Sequence, residues 1–123
     1  MRLLVTGDRH WDDARLVCIA LQKLKPSKMC HGWARGADSI ADIEGRRLGI
    51  DVQGFVAQWN QYGRAAGPIR NQQMLDEFRP TQVAAFHDDL EHSKGTKDMV
   101  RRAKKAGIPV RHFSHSHPEG VDL

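Results

Sequence analysis

Short apolar runs alternate with longer stretches of helical period from one end of the sequence to the other, and few folds accommodate that rhythm. Arg2 to Thr6, RLLVT, is a continuous apolar run closed by Gly7, the signature of a strand buried on both faces. From Trp11 to Leu24, the residues Val17, Ala20, Leu21 and Leu24 recur at helical spacing, with Asp12 and Asp13 at the start and Pro26 beyond the end. Lys28 to His31 reads as a second strand. Gly36 to Leu48 reads as a second helix, with Ala37, Ile40, Ala41 and Leu48 inward and Gly49 as its stop. Asp51 to Val56 is a third strand, and residues 57–67 form a long irregular connection. Pro68 opens a third helix, anchored by Leu75 and Phe78 and closed by Pro80. A fourth strand follows at Gln82 to Phe86, then a polar loop from His87 to Lys94. A fourth helix runs from Gly95 to Ala106, with Met99, Ala103 and Ala106 inward, and a fifth strand from Pro109 to Phe113.

Strand–helix–strand units of this kind cross over right-handedly and build a parallel sheet with helices on both faces. The expectation is an α/β, Rossmann-like three-layer sandwich with a five-stranded parallel sheet in the order 3-2-1-4-5. Residues 1–113 would form the single domain and 114–123 a frayed tail. In that order the chain reverses between strands 1 and 4, and ligands bind at such a switch point, outside the carboxyl ends of the strands.

Four loops meet at that edge. They carry T-G-D-R-H-W (residues 6–11), H-G-W-A-R-G-A-D (31–38), G-P-I-R-N (67–71) and S-K-G-T-K-D (93–98). Each combines glycine with polar residues and then opens a helix. A helix N-terminus presents unpaired N–H groups and partial positive charge, which suits an anion. Gly32 and Gly36 shape the turn into the second helix, Arg35 has a guanidinium to fork onto phosphate, and Asp38 has a carboxylate to accept from a ribose hydroxyl. A tight strand-to-helix turn with a favourable first-turn charge accounts for the same residues equally well. Neither G-x-G-x-x-G nor G-x-x-x-x-G-K-[ST] occurs.

Composition narrows the classes. No apolar run reaches the roughly 20 residues that span a bilayer, so no membrane partner is expected, and the reading is cytoplasmic. From Lys94 onward seven Lys/Arg stand against three Asp/Glu, so this segment carries the whole net charge of +4. Lys97, Arg101 and Lys104 form a stripe on one helix, read as a solvated face, and nucleic acid is not an expected partner. Cys18 and Cys30 read as reduced, packed thiols. His112, His115 and His117 read as part of a solvated tail, with no metal site and no cofactor expected. Trp11, Trp33, Trp59 and Tyr62 sit in or beside loops, where packing and base stacking both remain open.

V-T-G-D-R-x-W, H-G-x-A-R-G-A-D, the W-x-x-x-G-x-A-A-G-P-I-R-N run and G-T-x-D-M-V resemble the YspA-like branch of the SLOG superfamily, which includes the Lonely-Guy phosphoribohydrolases and the DprA DNA-processing proteins. The resemblance covers residues 3 to 113 in order. It implies a Rossmann-like fold and a nucleotide or nucleotide-derived ligand. The Lonely-Guy motif R-K-x-x-M is similar to Arg70-Asn71-Gln72-Gln73-Met74, which makes Arg70 the substrate-handling arginine and puts Asn71 in place of lysine. Their P-G-G-x-G-T-x-x-E is similar to residues 91–99. Gly95 and Thr96 are retained, His92 and Ser93 replace the paired glycines, and Met99 replaces the glutamate. Asp98 is the carboxylate next to that position.

The expected ligand-binding set is Gly7, Arg9, Gly32, Arg35, Gly36, Asp38, Trp59, Gly67, Arg70, Asn71, Ser93, Gly95 and Thr96, with Arg70 and Asp98 as catalytic candidates. The leading function is a module that senses or sequesters a nucleotide-type small molecule. The alternative is an N-glycosidic hydrolase of nucleotides, and the third a DprA-like nucleic-acid binder. A homo-oligomer is compatible with all three.

Overall fold

A computed structural model describes all 123 residues. Six strands, β1 (Arg2–Gly7), β2 (Lys28–His31), β3 (Asp51–Gly54), β4 (Gln82–Phe86), β5 (Val110–Phe113) and β6 (Val121–Asp122), form one sheet in the order β3-β2-β1-β4-β5-β6. The first five strands pair in parallel, in the expected order. β6 pairs antiparallel with β5, Arg111 opposite Asp122 and His112 opposite Val121. The sheet is therefore six-stranded and mixed rather than five-stranded and wholly parallel, and residues 114–123 supply its last strand instead of fraying. The Arg111 guanidinium donates to the Glu119 carbonyl, and the Leu123 amide to the Val110 carbonyl at 2.9 Å. These bonds satisfy an edge that β5 would otherwise expose.

Helices α1 (Ala14–Leu24) and α2 (Ala37–Arg47) cover one face; α4 (Ala66–Gln73) and α5 (Gly95–Lys105) cover the other. Alternate residues of each central strand serve opposite cores. Leu3 and Val5 of β1, with Ala84 and Phe86 of β4, pack under α1 and α2 beside Val17, Leu21 and Ala41. Leu4, Val83 and Ala85 face Met74, Phe78, Met99 and Ala103. Both faces are buried, so the strands read as unbroken apolar runs.

The boundaries differ from the sequence reading where caps decide them. α1 begins at Ala14 because the Asp13 carboxylate accepts the Leu16 amide at 3.0 Å, leaving Trp11 to Asp13 as an extended lead-in. β3 ends at Gly54, and Val56 is exposed. The connection at 57–67 is ordered: it holds a single helical turn, α3 (Trp59–Tyr62), then a 3₁₀ turn. α4 starts at Ala66, two residues ahead of Pro68, which sits in the first turn where no amide partner is needed. α4 runs on through Met74–Phe78 with widened π spacing. Leu48 and Ala106, expected inward, are exposed. Both occupy helix C-caps, with ψ near 0°, where the helical phase is lost.

Candidate functional site

The carboxyl ends of β1 and β4 meet at the point where strand order reverses, and a cleft of about 700 Å³ opens there. The β1–α1 loop contributes Gly7, Asp8, Arg9 and His10, and the β2–α2 loop Ala34 and Asp38. Trp59 comes from α3, and Arg70, Asn71 and Met74 from α4 and its π extension. His87, His92, Ser93, Lys94, Gly95 and Thr96 come from the β4–α5 loop and the start of α5. Thr6 closes the floor.

The β2–α2 loop is held by two buried pairs. His31 is fully buried; its Nδ1 accepts the Trp33 amide at 3.0 Å, which leaves the proton on Nε2 to donate to Asp42 Oδ1 at 2.9 Å. Burial pushes the Asp42 carboxyl up, but hydrogen bonds from Arg46 and His31 outweigh it and leave the group below its ordinary range. Asp38 accepts the Gly32 amide at 3.0 Å and the Ala34 amide at 3.2 Å, both on Oδ2. Its Oδ1 has no protein partner. Asp38 is 5% exposed, and burial raises its carboxyl against the opposing hydrogen bonds from the Ala34 and Gly32 amides and the charge of Arg70. Gly36 lies at φ +70°, and a Cβ there would sit 2.4 Å from the Asp8 carbonyl oxygen. This contact holds the first and second loops together.

Arg70 reaches from α4 to the same loop, donating from Nη1 to the Gly32 carbonyl oxygen and from Nε to Asn71 Oδ1 at 3.2 Å. Burial lowers the guanidinium from its ordinary value while Asp38 opposes the shift. Asn71, 3% exposed, passes its Nδ2 hydrogen to Asp98 Oδ2 at 3.0 Å.

α5 begins at the cleft with Lys94 at its N-cap and no side-chain cap. Ser93 Oγ takes the Lys97 amide at 3.0 Å, while the Gly95 and Thr96 amides have no partner within the helix. Thr96 is 5% exposed and its hydroxyl makes no protein hydrogen bond. Every side-chain polar atom sealed from solvent has a partner, so the free Asp38 Oδ1 and Thr96 Oγ1 open onto the cleft.

Nine of the expected residues therefore line one cleft: Gly7, Arg9, Asp38, Trp59, Arg70, Asn71, Ser93, Gly95 and Thr96. Gly32 and Gly36 shape its walls from behind. Gly67 lies under the Trp59 ring, and Arg35 is exposed and outside the lining. Asp98 is likewise outside it: Arg101 at 2.7 Å, Arg102 at 2.9 Å and Asn71 occupy its two oxygens. Met99 is fully buried in the core beneath α5. The sequence reading missed Thr6, Asp8, His10, Ala34, Met74, His87, His92 and Lys94 as lining residues. For His87 and His92 a signal existed, since their polar loop leads from β4 into α5. The tail histidines do not converge on a metal site. His112 Nε2 meets the His87 carbonyl, and His115, read as solvated, lies between Asp88 and Asp13.

A mostly parallel α/β core with its cleft at the carboxyl edge places the protein among the Rossmann-like α/β domains. Comparison narrows the class. The model of the "YspA, cpYpsA-related SLOG family" matches residues 1–62. The Gene 61 protein of Mycobacterium phage D29 is 38% identical over 122 residues, covering 91% of this chain and 95% of that protein. The chain belongs to the YspA/cpYpsA-related SLOG family. Among solved structures, DNA processing protein A (DprA) from Streptococcus pneumoniae matches with a TM-score of 0.69 and 17% identity over 92% of this chain. UDP-GlcNAc 2-epimerase from Neisseria meningitidis, bound to UDP-GlcNAc, matches with a TM-score of 0.56 and 19% identity over 92% of this chain. The matches take in 49% of the DprA chain and 32% of the epimerase chain; the likeness is one of fold. No helix is long and apolar enough to cross a membrane.

Proposed function

We propose that the protein binds a nucleotide or nucleotide-derived ligand in this cleft, as a sensing or sequestering module. One observation carries the reading: the N-terminus of α5, where Ser93 caps the Lys97 amide and leaves those of Gly95 and Thr96 free beside the buried, unpartnered Thr96 hydroxyl, faces the same cleft as Asp38 Oδ1. The amides, the hydroxyl and the helix dipole suit a phosphate. Asp38 Oδ1 suits a ribose hydroxyl, and the exposed Trp59 ring offers a face for a base. Arg70 adds positive charge beside Asp38.

Binding stands ahead of N-glycosidic hydrolysis because no carboxylate from α5 lines the cleft. Cleavage through a cation-like ribose needs an ionised carboxylate against the developing charge. Asp98 is committed to its arginines, Met99 is core, and Asp38 holds the Gly32 and Ala34 amides on one oxygen while burial raises its carboxyl. Release of free base from a monophosphate would be the signature of the other reading.

The test is thermal unfolding against a panel of nucleotides. A ligand at a hundredfold excess over its dissociation constant stabilises by about 2.7 kcal/mol. Thr96→Val and Arg70→Ala should each shrink the shift, and Arg35→Ala, outside the lining, should not. A panel in which no nucleotide raises Tm would overturn the proposal.

A further inference from the structure

The nucleotide reading uses the α5 N-terminus, Asp38 and Arg70, and leaves the loop from His87 to Lys94 unexplained. That loop is organised around Asp89. The Asp89 amide donates to His87 Nδ1 at 2.9 Å, so His87 carries its proton on Nε2, which has no protein partner. The Asp89 carboxylate takes His92 Nδ1 at 2.7 Å, leaving His92 Nε2 as the free nitrogen. Both imidazoles line the cleft, immediately before the Gly95–Thr96 amides. One aspartate thus sets the ring nitrogens of two histidines at the cleft wall.

We propose that His87 and His92 form a second anion subsite beside the α5 N-terminus, so that the ligand class is a nucleotide with two or more linked phosphates rather than a monophosphate. The inference rests on the nucleotide reading and deepens it. A single phosphate satisfies the α5 amides and the Thr96 hydroxyl. A phosphate bonded to it meets the Nε2–H of His87 and, once His92 is protonated, the Nε2–H of that ring as well. Lys94, Arg9 and Arg70 share the lining with Asp8 and Asp38, and the Asp88 and Asp89 carboxylates stand beside the two imidazoles. Asp8 Oδ1 accepts the His10 amide at 2.9 Å, and Asp38 Oδ2 accepts the Gly32 and Ala34 amides. Glu91 and Lys97 lie beside His92 with opposite charges.

His92 also makes the subsite sensitive to pH. Its hydrogen bond to Asp89, reinforced by the charge of that carboxylate, holds the imidazolium to higher pH than usual. The second subsite is most positive below the ordinary histidine range and weakens as pH rises through the raised value.

Inorganic phosphate and pyrophosphate test this without a choice of base. By calorimetry at pH 6.5, wild type should bind pyrophosphate at least tenfold more tightly than phosphate, with a smaller ratio at pH 8.5. The double variant His87→Gln/His92→Gln should keep its phosphate affinity and lose the preference. Its intact phosphate binding would show that the cleft is folded. Equal affinities in wild type, or a preference that survives in the double variant, would overturn the second subsite while leaving the first. Wild type that binds neither anion would refute the nucleotide reading itself, and the subsite with it.

Discussion

Gly32 and Arg70, 38 residues apart in sequence, are in contact: the guanidinium lies on the Gly32 backbone and donates to its carbonyl oxygen. A Cβ on Gly32 would stand 2.7 Å from Arg70 Cζ. The glycine of the second loop is thus the seat of an arginine from the third. Gly32→Ala should leave the fold intact, because the far end of a long side chain can yield, but it should displace the guanidinium. Affinity for inorganic phosphate should fall about tenfold, or ~1.4 kcal/mol, the lower end for one charge-assisted bond. An unchanged affinity would remove Arg70 from the ligand's surroundings.

Asp38 predicts a separation of ligand parts. In Asp38→Asn the side-chain oxygen can still accept the Gly32 and Ala34 amides, while the group facing the cleft becomes a donor. Affinity for a nucleotide should drop while that for inorganic phosphate holds. Stability should respond as well. Burial raises the folded-state pKa, so the protein gains from the proton below the ordinary carboxylate range, and loses that gain as pH rises toward the folded value. Urea unfolding between pH 4 and 8 should show the variant gaining on wild type as pH rises. Parallel curves would contradict the assignment.

Asp98 should prove to be a positioning residue. Burial pushes its carboxyl up, but the hydrogen bonds from Asn71 and Arg102 and the charges of Arg102 and Arg101 hold it below the ordinary range. A depressed folded pKa contributes stability that is present above about pH 4 and lost as pH falls through the folded value. Asp98→Asn should therefore lower Tm at pH 7 and make little difference near pH 2. It should also loosen Asn71, and through it Arg70, so phosphate affinity should weaken together with Tm. A variant with wild-type Tm at pH 7 would exclude the network.

The C-terminal strand should be latched by pH. His115 stacks on Trp11 at 4.7 Å, and its two ring nitrogens meet Asp88 at 2.7 Å and Asp13 at 2.8 Å. Engaging both carboxylates requires both nitrogens to carry protons, and the hydrogen bonds to Asp88 and then Asp13 raise the His115 pKa. The contribution is full below the unfolded value near 6.5 and disappears as pH rises through the folded one. Amide exchange of residues 121–123 should quicken between pH 6 and 9, beyond its intrinsic pH dependence, and His115→Gln should exchange fast throughout. Identical protection in variant and wild type would sink the latch.

The order of the first five strands and the gathering of the glycine-bearing loops were legible in the sequence, because burial on two faces writes itself as apolar runs and right-handed crossovers leave few topologies. That Asp38 and Thr96 line the cleft was legible for a related reason, since each stands in the first turn of a helix that must begin at the carboxyl edge, and Arg70 lines it from the last turn of α4. Periodicity stopped where backbone dihedrals took over. Trp33 at φ 54° and Gly36 at φ +70° bend the second loop so that Arg35 falls outside the lining while Asp38 turns in, and no spacing rule encodes those angles.

By itself, then, the chain determined its layers, its strand order and the edge at which its glycine-bearing loops gather, since these follow from which side chains leave water. Only the tertiary structure decided which polar groups remain free once the others are paired. Asp98 is spent on Asn71 and two arginines, whereas Asp38 keeps one oxygen open. Asp89 aligns His87 with His92, and a two-residue strand, too short to show a period, closes the sheet on β5. Hydrogen-bond partners are settled by distances between groups far apart in sequence, and those distances exist only after the core has packed.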